Sequence, residues 1–161
     1  MNITILSKNN FEDLLIKNGI NDNTVTDSKN DLFISILDTD GHLGQHFKSE
    51  HDNVLILHFD DCSEDLDIPI IGQDQIRSLR TLDVIQAKRI LDFIDRNKDR
   101  ENLFIHCTAG VSRSGAVGTF ICEYTGSDFT TFKKKNPNIL PNPHVLSVLN
   151  KIVWEEKFNN H

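Results

Sequence analysis

The segment LFIHCTAGVSRSG, Leu103 to Gly115, brings a cysteine and an arginine close together around a glycine-containing turn, with serines on both sides of the arginine. The apolar run Leu103 to His106 reads as a buried strand, and the residues after Arg113 read as a helix. A turn wound into a helix N-terminus directs the backbone N–H groups of Thr108, Ala109, Gly110, Val111, Ser112 and Arg113 inward, and the helix dipole adds positive potential. A phosphate fits such a cradle. The same field favours a thiolate, so the Cys107 thiol is expected below the free value of about 8.5, within the roughly 3.5 to 7.5 range of activated cysteines. At neutral pH it is then a nucleophile. Arg113 can grip two phosphoryl oxygens at once, which a lysine point charge cannot do. Ser114 is placed to donate a hydrogen bond to the sulfur and make it a better leaving group. His106, just before the nucleophile, is read as a buried orienting group rather than a base.

Strands and helices alternate around this segment. Asn2 to Leu6 reads as a strand, followed by a helix with Ser7 as N-cap, Phe11, Leu14 and Leu15 as its buried stripe, and Gly19 at its C-cap. Leu32 to Leu37 and Val54 to Phe59 are nearly continuous apolar runs, the pattern of strands covered on both faces. A polar loop, DTDGHLGQHFKSEHDN, joins them. Leu82 to Arg96 has apolar residues at helical spacing through Ala87, Ile90, Leu91 and Ile94. After the turn comes a helix through Val117, Phe120, Ile121 and Tyr124, ending at Gly126. A short helix from Asp128 then closes on Lys133, Lys134 and Lys135, a run that suits either a helix C-terminus or a basic patch. The last helix carries Val145, Val148, Leu149, Ile152 and Val153 on one face, with Asn142 as N-cap and Pro143 at its first position. Alternating strands and helices predict an α/β layered fold, and 161 residues suffice for one domain, 1–161.

Composition narrows the function classes. With 17 Lys and Arg against 24 Asp and Glu the net charge is -7, which disfavours a nucleic-acid partner unless a local basic patch exists. No stretch approaches the roughly 18 apolar residues of a membrane span, and no signal peptide is visible, so no membrane insertion is expected and the chain is expected to start near Met1. The cysteines Cys62, Cys107 and Cys122 form neither a disulfide framework nor a zinc pattern, so a reducing cytoplasm is the expected setting. Cys122 is read as core and Cys62 as a loop or packed thiol.

HCTAGVSRSG resembles the HCxxGxxR(S/T)G signature loop of cysteine-dependent protein tyrosine and dual-specificity phosphatases. The resemblance is strongest from Val54 to Phe158. It implies a central mixed, largely parallel sheet flanked by helices, and hydrolysis in two steps through a phosphocysteine on Cys107, with no metal and no cofactor. It also implies an aspartate general acid upstream, after a strand. LHFDD offers Asp61 for that role with Asp60 as competitor, followed by an acidic loop containing Glu64, Asp65, Asp67 and Asp74. The only Trp is Trp154, no Gln follows Gln86, and the sole Tyr is Tyr124, so the tryptophan-proline-aspartate, glutamine and lysine-asparagine-arginine-tyrosine loops of the larger tyrosine-specific enzymes are missing. These departures point to the compact dual-specificity branch, whose shallow pocket takes phosphoserine and phosphothreonine as well as phosphotyrosine. In that branch an Asn before the last helix braces the signature loop; Asn142 matches, and helix capping explains it equally well.

The substrate expected from the resemblance is therefore a phosphorylated protein or peptide, acted on by a monomer. The residues between Cys107 and Arg113 include no lysine, which disfavours a phosphoinositide headgroup. An RNA 5′-phosphatase or a phosphoinositide phosphatase of the same superfamily is the alternative. From another class, an inactive phosphate-binding module is opposed by the retained Cys107, Arg113, Ser114 and an aspartate.

Overall fold

A computed structural model describes residues 1–41 and 45–159. Six strands and five helices follow in the order β1 (Asn2–Ser7), α1 (Lys8–Lys17), β2 (Asp31–Leu37), β3 (Val54–His58), β4 (Leu66–Pro69), β5 (Ile76–Leu79), α2 (Val84–Arg96), β6 (Asn102–Cys107), α3 (Arg113–Tyr124), α4 (Phe129–Lys135) and α5 (Pro143–Asn159), with a short 3-10 turn at Val25–Asp27. Part of the polar loop read between β2 and β3, residues 42–44, lies outside the described residues.

The central sheet has the strand order β1-β6-β2-β3, and every neighbouring pair is parallel. β2, β3 and β6 are covered on both faces, which is why their sequences run apolar with little alternation. Leu32, Ile34, Leu55, Leu57, Leu103 and Ile105 point to one face, into a core shared with α2, α3, α4 and α5. Phe33, Leu37, Val54 and Ile56 point to the other, against Phe11 and Leu15 of α1 and Phe47 of the following loop. Each fully buried side chain of this size contributes about 1.5 to 3 kcal/mol.

The helix ends follow the sequence signals. The Ser7 hydroxyl accepts from the Asn10 N–H, Asp83 from Gln86 and Asp128 from Thr130, while Gly19 and Gly126 take positive φ just past α1 and α3. The free edge of β1 is closed by a side chain: Asn136 accepts from the Ile5 N–H at 2.8 Å and donates to the Ile3 carbonyl at 2.9 Å.

Two features differ from the sequence expectation. The central sheet is wholly parallel, and the antiparallel pairing lies in a separate two-stranded hairpin, β4–β5. That hairpin falls in the acidic segment expected as loop. Leu66, Asp67 and Ile68 alternate as a strand should, but Pro69 and the short length mask the pattern, and Gly72 at φ +81° turns the chain. No helix among the described residues is long and apolar enough to cross a membrane.

Candidate active site

Parallel strands deliver their carboxyl ends to one edge of the sheet, where ligands bind in open α/β folds. β2 ends before Asp38, β3 before Phe59, Asp60 and Asp61, and β6 ends at Cys107 itself. Register alone therefore gathers these residues on one edge.

The loop after Cys107 is shaped by where its carbonyls go. The Thr108 carbonyl accepts from the Lys8 N–H at 3.1 Å, that of Val111 from Leu140 at 3.0 Å, and that of Ser112 from Asn142 at 3.1 Å. With these carbonyls turned toward the scaffold, amides are left for the sulfur, and the Gly110 N–H donates to Cys107 Sγ at 3.3 Å. Gly110 has φ +72°, and a Cβ there would stand 2.5 Å from the Ser7 nitrogen, so both the turn and the close approach to β1 require glycine.

Cys107 is buried, with the Ser114 hydroxyl 3.0 Å from its sulfur. Burial alone raises its pKa, but hydrogen bonds from the Ser114 hydroxyl and from the backbone amides of Ser114, Val111 and Gly110 outweigh it, and the thiol is held below its ordinary value. Arg113 begins α3 and is buried. Its Nη1 donates to Asp38 Oδ1 at 2.7 Å and to the Phe59 carbonyl at 2.9 Å, and its Nη2 donates to Thr108 Oγ1 at 3.1 Å.

His106 lies on the opposite face of β6. Its Nδ1 is 3.1 Å from the Cys107 carbonyl, which can only accept, so Nδ1 carries the proton and Nε2 accepts from the Ser35 hydroxyl at 2.6 Å. Burial is the main cause that lowers its pKa to about 4, with the Lys8, Arg113 and His46 charges adding to the shift. It is therefore neutral at physiological pH and fixes the strand end from which the cysteine projects.

The two aspartates after β3 have different surroundings. Asp60 is buried and accepts from the Thr39 hydroxyl at 2.6 Å, the Thr39 N–H at 3.2 Å and the Arg80 N–H at 2.7 Å. Burial raises its pKa, but these bonds and the Arg113 charge outweigh it and hold the carboxyl below its usual range. Asp61 is exposed at the rim of the loop. Its Oδ1 accepts from Ser112 Oγ at 2.8 Å and from Asn142 Nδ2 at 2.8 Å, and Oδ2 has no hydrogen bond among the described residues. Asn142 caps α5 with Oδ1, which accepts from His144 and Val145, while its Nδ2 donates to Asp61 and its backbone N–H rather than its side chain reaches the loop.

The expected residues Cys107 to Ser114, Asp61, His106 and Asn142 are thus assembled around one loop. Cys122 is buried in the core. Cys62 is partly buried, and burial beside Asp60 pushes its thiol up. Sequence reading missed Asp38, Ser35 and the Thr108 hydroxyl. The available signal for Asp38 was positional: it is the first residue after a strand predicted to run parallel to the one ending in Cys107.

No protein-family model and no curated protein matches this sequence. Among solved structures, the PTP-2 phosphatase of Cydia pomonella is similar at 14% identity over 92% of this chain and 84% of that one, with a TM-score of 0.52. Human DUSP28 is similar at 15% identity over 98% and 94% of the two chains, with a TM-score of 0.49. The likeness to the Cydia pomonella structure shows the fold, an α/β fold shared with that phosphatase.

Proposed function

We propose that this protein is a metal-independent phosphoprotein phosphatase that works through a phosphocysteine intermediate. The observation that carries the reading is the Cys107 sulfur, held as a low-pKa thiol by Ser114 and the loop amides, with Asp61 fastened at the loop's rim. In the first step the Cys107 thiolate attacks phosphorus, the P–S bond forms as the P–O bond breaks, and protonated Asp61 gives its proton to the leaving oxygen. The loop amides and Arg113, its guanidinium oriented by Asp38, hold the remaining phosphoryl oxygens. In the second step the Asp61 carboxylate takes a proton from water, the water oxygen bonds to phosphorus, and the thiolate leaves with the Ser114 hydroxyl stabilising it.

Asp61 is assigned as the acid rather than Asp60 because Asp60 is saturated with donors and held ionised, whereas Asp61 keeps one oxygen unbonded at the rim. His106 and Asn142 are positioning residues. The loop side chains between Cys107 and Arg113, with no lysine among them, support a phosphotyrosine, phosphoserine or phosphothreonine substrate over a phosphoinositide, and the net charge of -7 speaks against RNA. A monomer working in the cytoplasm completes the reading.

The test is steady-state hydrolysis of phosphotyrosine, phosphothreonine and phosphoserine peptides, a phosphoinositide and a 5′-triphosphorylated RNA, in EDTA with reductant. The expected result is turnover of phosphopeptides that Cys107→Ser abolishes and Asp61→Asn lowers by roughly 10²-fold or more in kcat with KM little changed. Turnover of RNA or lipid alone overturns the substrate class, and phosphopeptide binding without turnover leaves a binding module. Wild-type kcat in Asp61→Asn together with loss in Asp60→Asn overturns the acid assignment.

A further inference from the structure

The β4–β5 hairpin stands apart from the rest of the fold. It pairs with no strand of the central sheet, and both of its outer edges are open. A two-stranded ribbon is marginal by itself in water. Yet this one exposes Leu66, Ile68, Ile70, Ile71 and Ile76, with Ile71 fully exposed and Ile76 67% exposed. Such a concentration of aliphatic surface on so short a segment needs a partner.

The arm is rooted in the site. Its base is clamped where the Asp60 N–H donates to the Arg80 carbonyl at 2.6 Å and Asp60 Oδ2 accepts from the Arg80 N–H at 2.7 Å, and the Thr81 N–H donates to Asp65 Oδ1 at 3.0 Å. Asp61 is the next residue along from that clamp. Arg77 and Ser78 of β5 also line a cavity of about 220 Å³ together with Asp38, Asp40 and Asp60, and Asp38 is the residue that holds Arg113. A chain lying along β5 is thereby led to the rim of the signature loop.

Edge and charge select the occupant. Pro69 removes a donor from β4, whereas β5 contains no proline, so β5 is the edge able to accept another strand. The arm carries four carboxylates, Glu64, Asp65, Asp67 and Asp74, against two cations, Arg77 and Arg80, and Arg80 is paired with Asp67, so the arm is acidic on balance. A second copy of this chain would bring the same acidic arm against itself. Leu66, Ile68 and Ile76 on the strands and Ile70 and Ile71 in the turn also make only a small patch beside the roughly 800 Å² per partner of a stable interface.

We propose that the hairpin is the substrate-docking arm: it takes an extended segment of the phosphoprotein, rich in aliphatic and basic residues, that pairs along β5 and presents the phosphorylated side chain to Cys107. This rests on the phosphoprotein reading above, and the experiment separates the two. Binding of fluorescent phosphotyrosine peptides to the Cys107→Ser protein is measured by anisotropy, with flanks of isoleucine and lysine or of glycine and serine. An Ile71→Ser/Ile76→Ser double variant and an Asp74→Lys variant are compared with the unaltered arm, and hydrolysis of p-nitrophenyl phosphate by the same arm variants, carrying Cys107, serves as control.

Each arm variant is expected to weaken the isoleucine-lysine peptide, the double variant about tenfold or more, while the glycine-serine peptide and p-nitrophenyl phosphate are unaffected. Equal affinity of both peptides for the unaltered arm overturns the docking proposal, and it leaves the catalytic reading intact if p-nitrophenyl phosphate is hydrolysed. A dimer in sedimentation that Ile71→Ser/Ile76→Ser dissolves assigns the arm to a second copy and also overturns it. Loss of p-nitrophenyl phosphate hydrolysis in the arm variants alone also overturns the docking proposal, whereas no hydrolysis by the protein with unaltered arm and Cys107 counts against the catalytic reading instead, because the anisotropy measurement needs no turnover.

Discussion

The Cys107 thiol is held below its ordinary value because hydrogen bonds outweigh burial, so removing one of those bonds should be measurable at the sulfur. Ser114→Ala takes away the hydroxyl 3.0 Å from Sγ. The thiol pKa, read from the pH dependence of iodoacetamide alkylation, is expected to rise in this variant, and the second step of turnover to slow. An unchanged alkylation profile would mean that the backbone amides alone set the pKa. A low-pKa thiolate that substrate can reach is also the first thiol to be oxidised to sulfenic acid. Peroxide is therefore expected to inactivate the protein reversibly, with dithiothreitol restoring activity and mass spectrometry locating the oxidation on Cys107 rather than on the raised-pKa thiols Cys62 and Cys122. Gly110→Ala should cost the loop its shape, since neither the positive φ nor the 2.5 Å approach to Ser7 admits a side chain. Loss of phosphate binding with the fold retained is the expected result, read by circular dichroism and by vanadate inhibition.

At the scale of elements, Asn136 acts as a surrogate strand on the open edge of β1. Asn136→Ala leaves the Ile5 N–H and the Ile3 carbonyl without that partner, at an expected cost of about 2 kcal/mol in urea unfolding, with the site geometry retained. Most elements were legible in the sequence because several signals agreed at each: Ser7, Asp83 and Asp128 cap the helices they precede, and the doubly covered strands β2, β3 and β6 read as apolar runs. The loop was legible because Gly110 marks its turn and Cys107, Arg113 and Ser114 lie within one short segment of the sequence. The hairpin was not legible, because its two four-residue strands bury little and their alternation is broken by Pro69. Asp38 escaped notice because its importance comes from a contact with Arg113 across the sheet edge, which no local pattern encodes. The split between Asp60 and Asp61 likewise depends on Thr39 and Arg80, both distant in sequence from the pair.

For the whole molecule, the neutral His106 beneath the site couples folding to pH. Its folded pKa of about 4 lies below the unfolded value of 6.5, so the unfolded chain binds the extra proton between those values. The stability it contributes is complete above about pH 6.5 and is lost as pH falls toward 4, by on the order of 3 kcal/mol. Denaturant unfolding between pH 7.5 and 4.5 should show this slope, and His106→Gln should flatten it; an unchanged slope would place the titration elsewhere. At this scale one parallel sheet edge places Asp38, Asp61 and Cys107 at or just past the carboxyl ends of three different strands. The most direct test of the account is a rapid acid quench of the protein with a ³²P-labelled phosphotyrosine peptide in EDTA, followed by peptide mapping. Label is expected on Cys107, accumulating further when Asp61→Asn slows its hydrolysis, and none is expected in Cys107→Ser. Label on another residue, or phosphate release from Cys107→Ser at the wild-type rate, would contradict it.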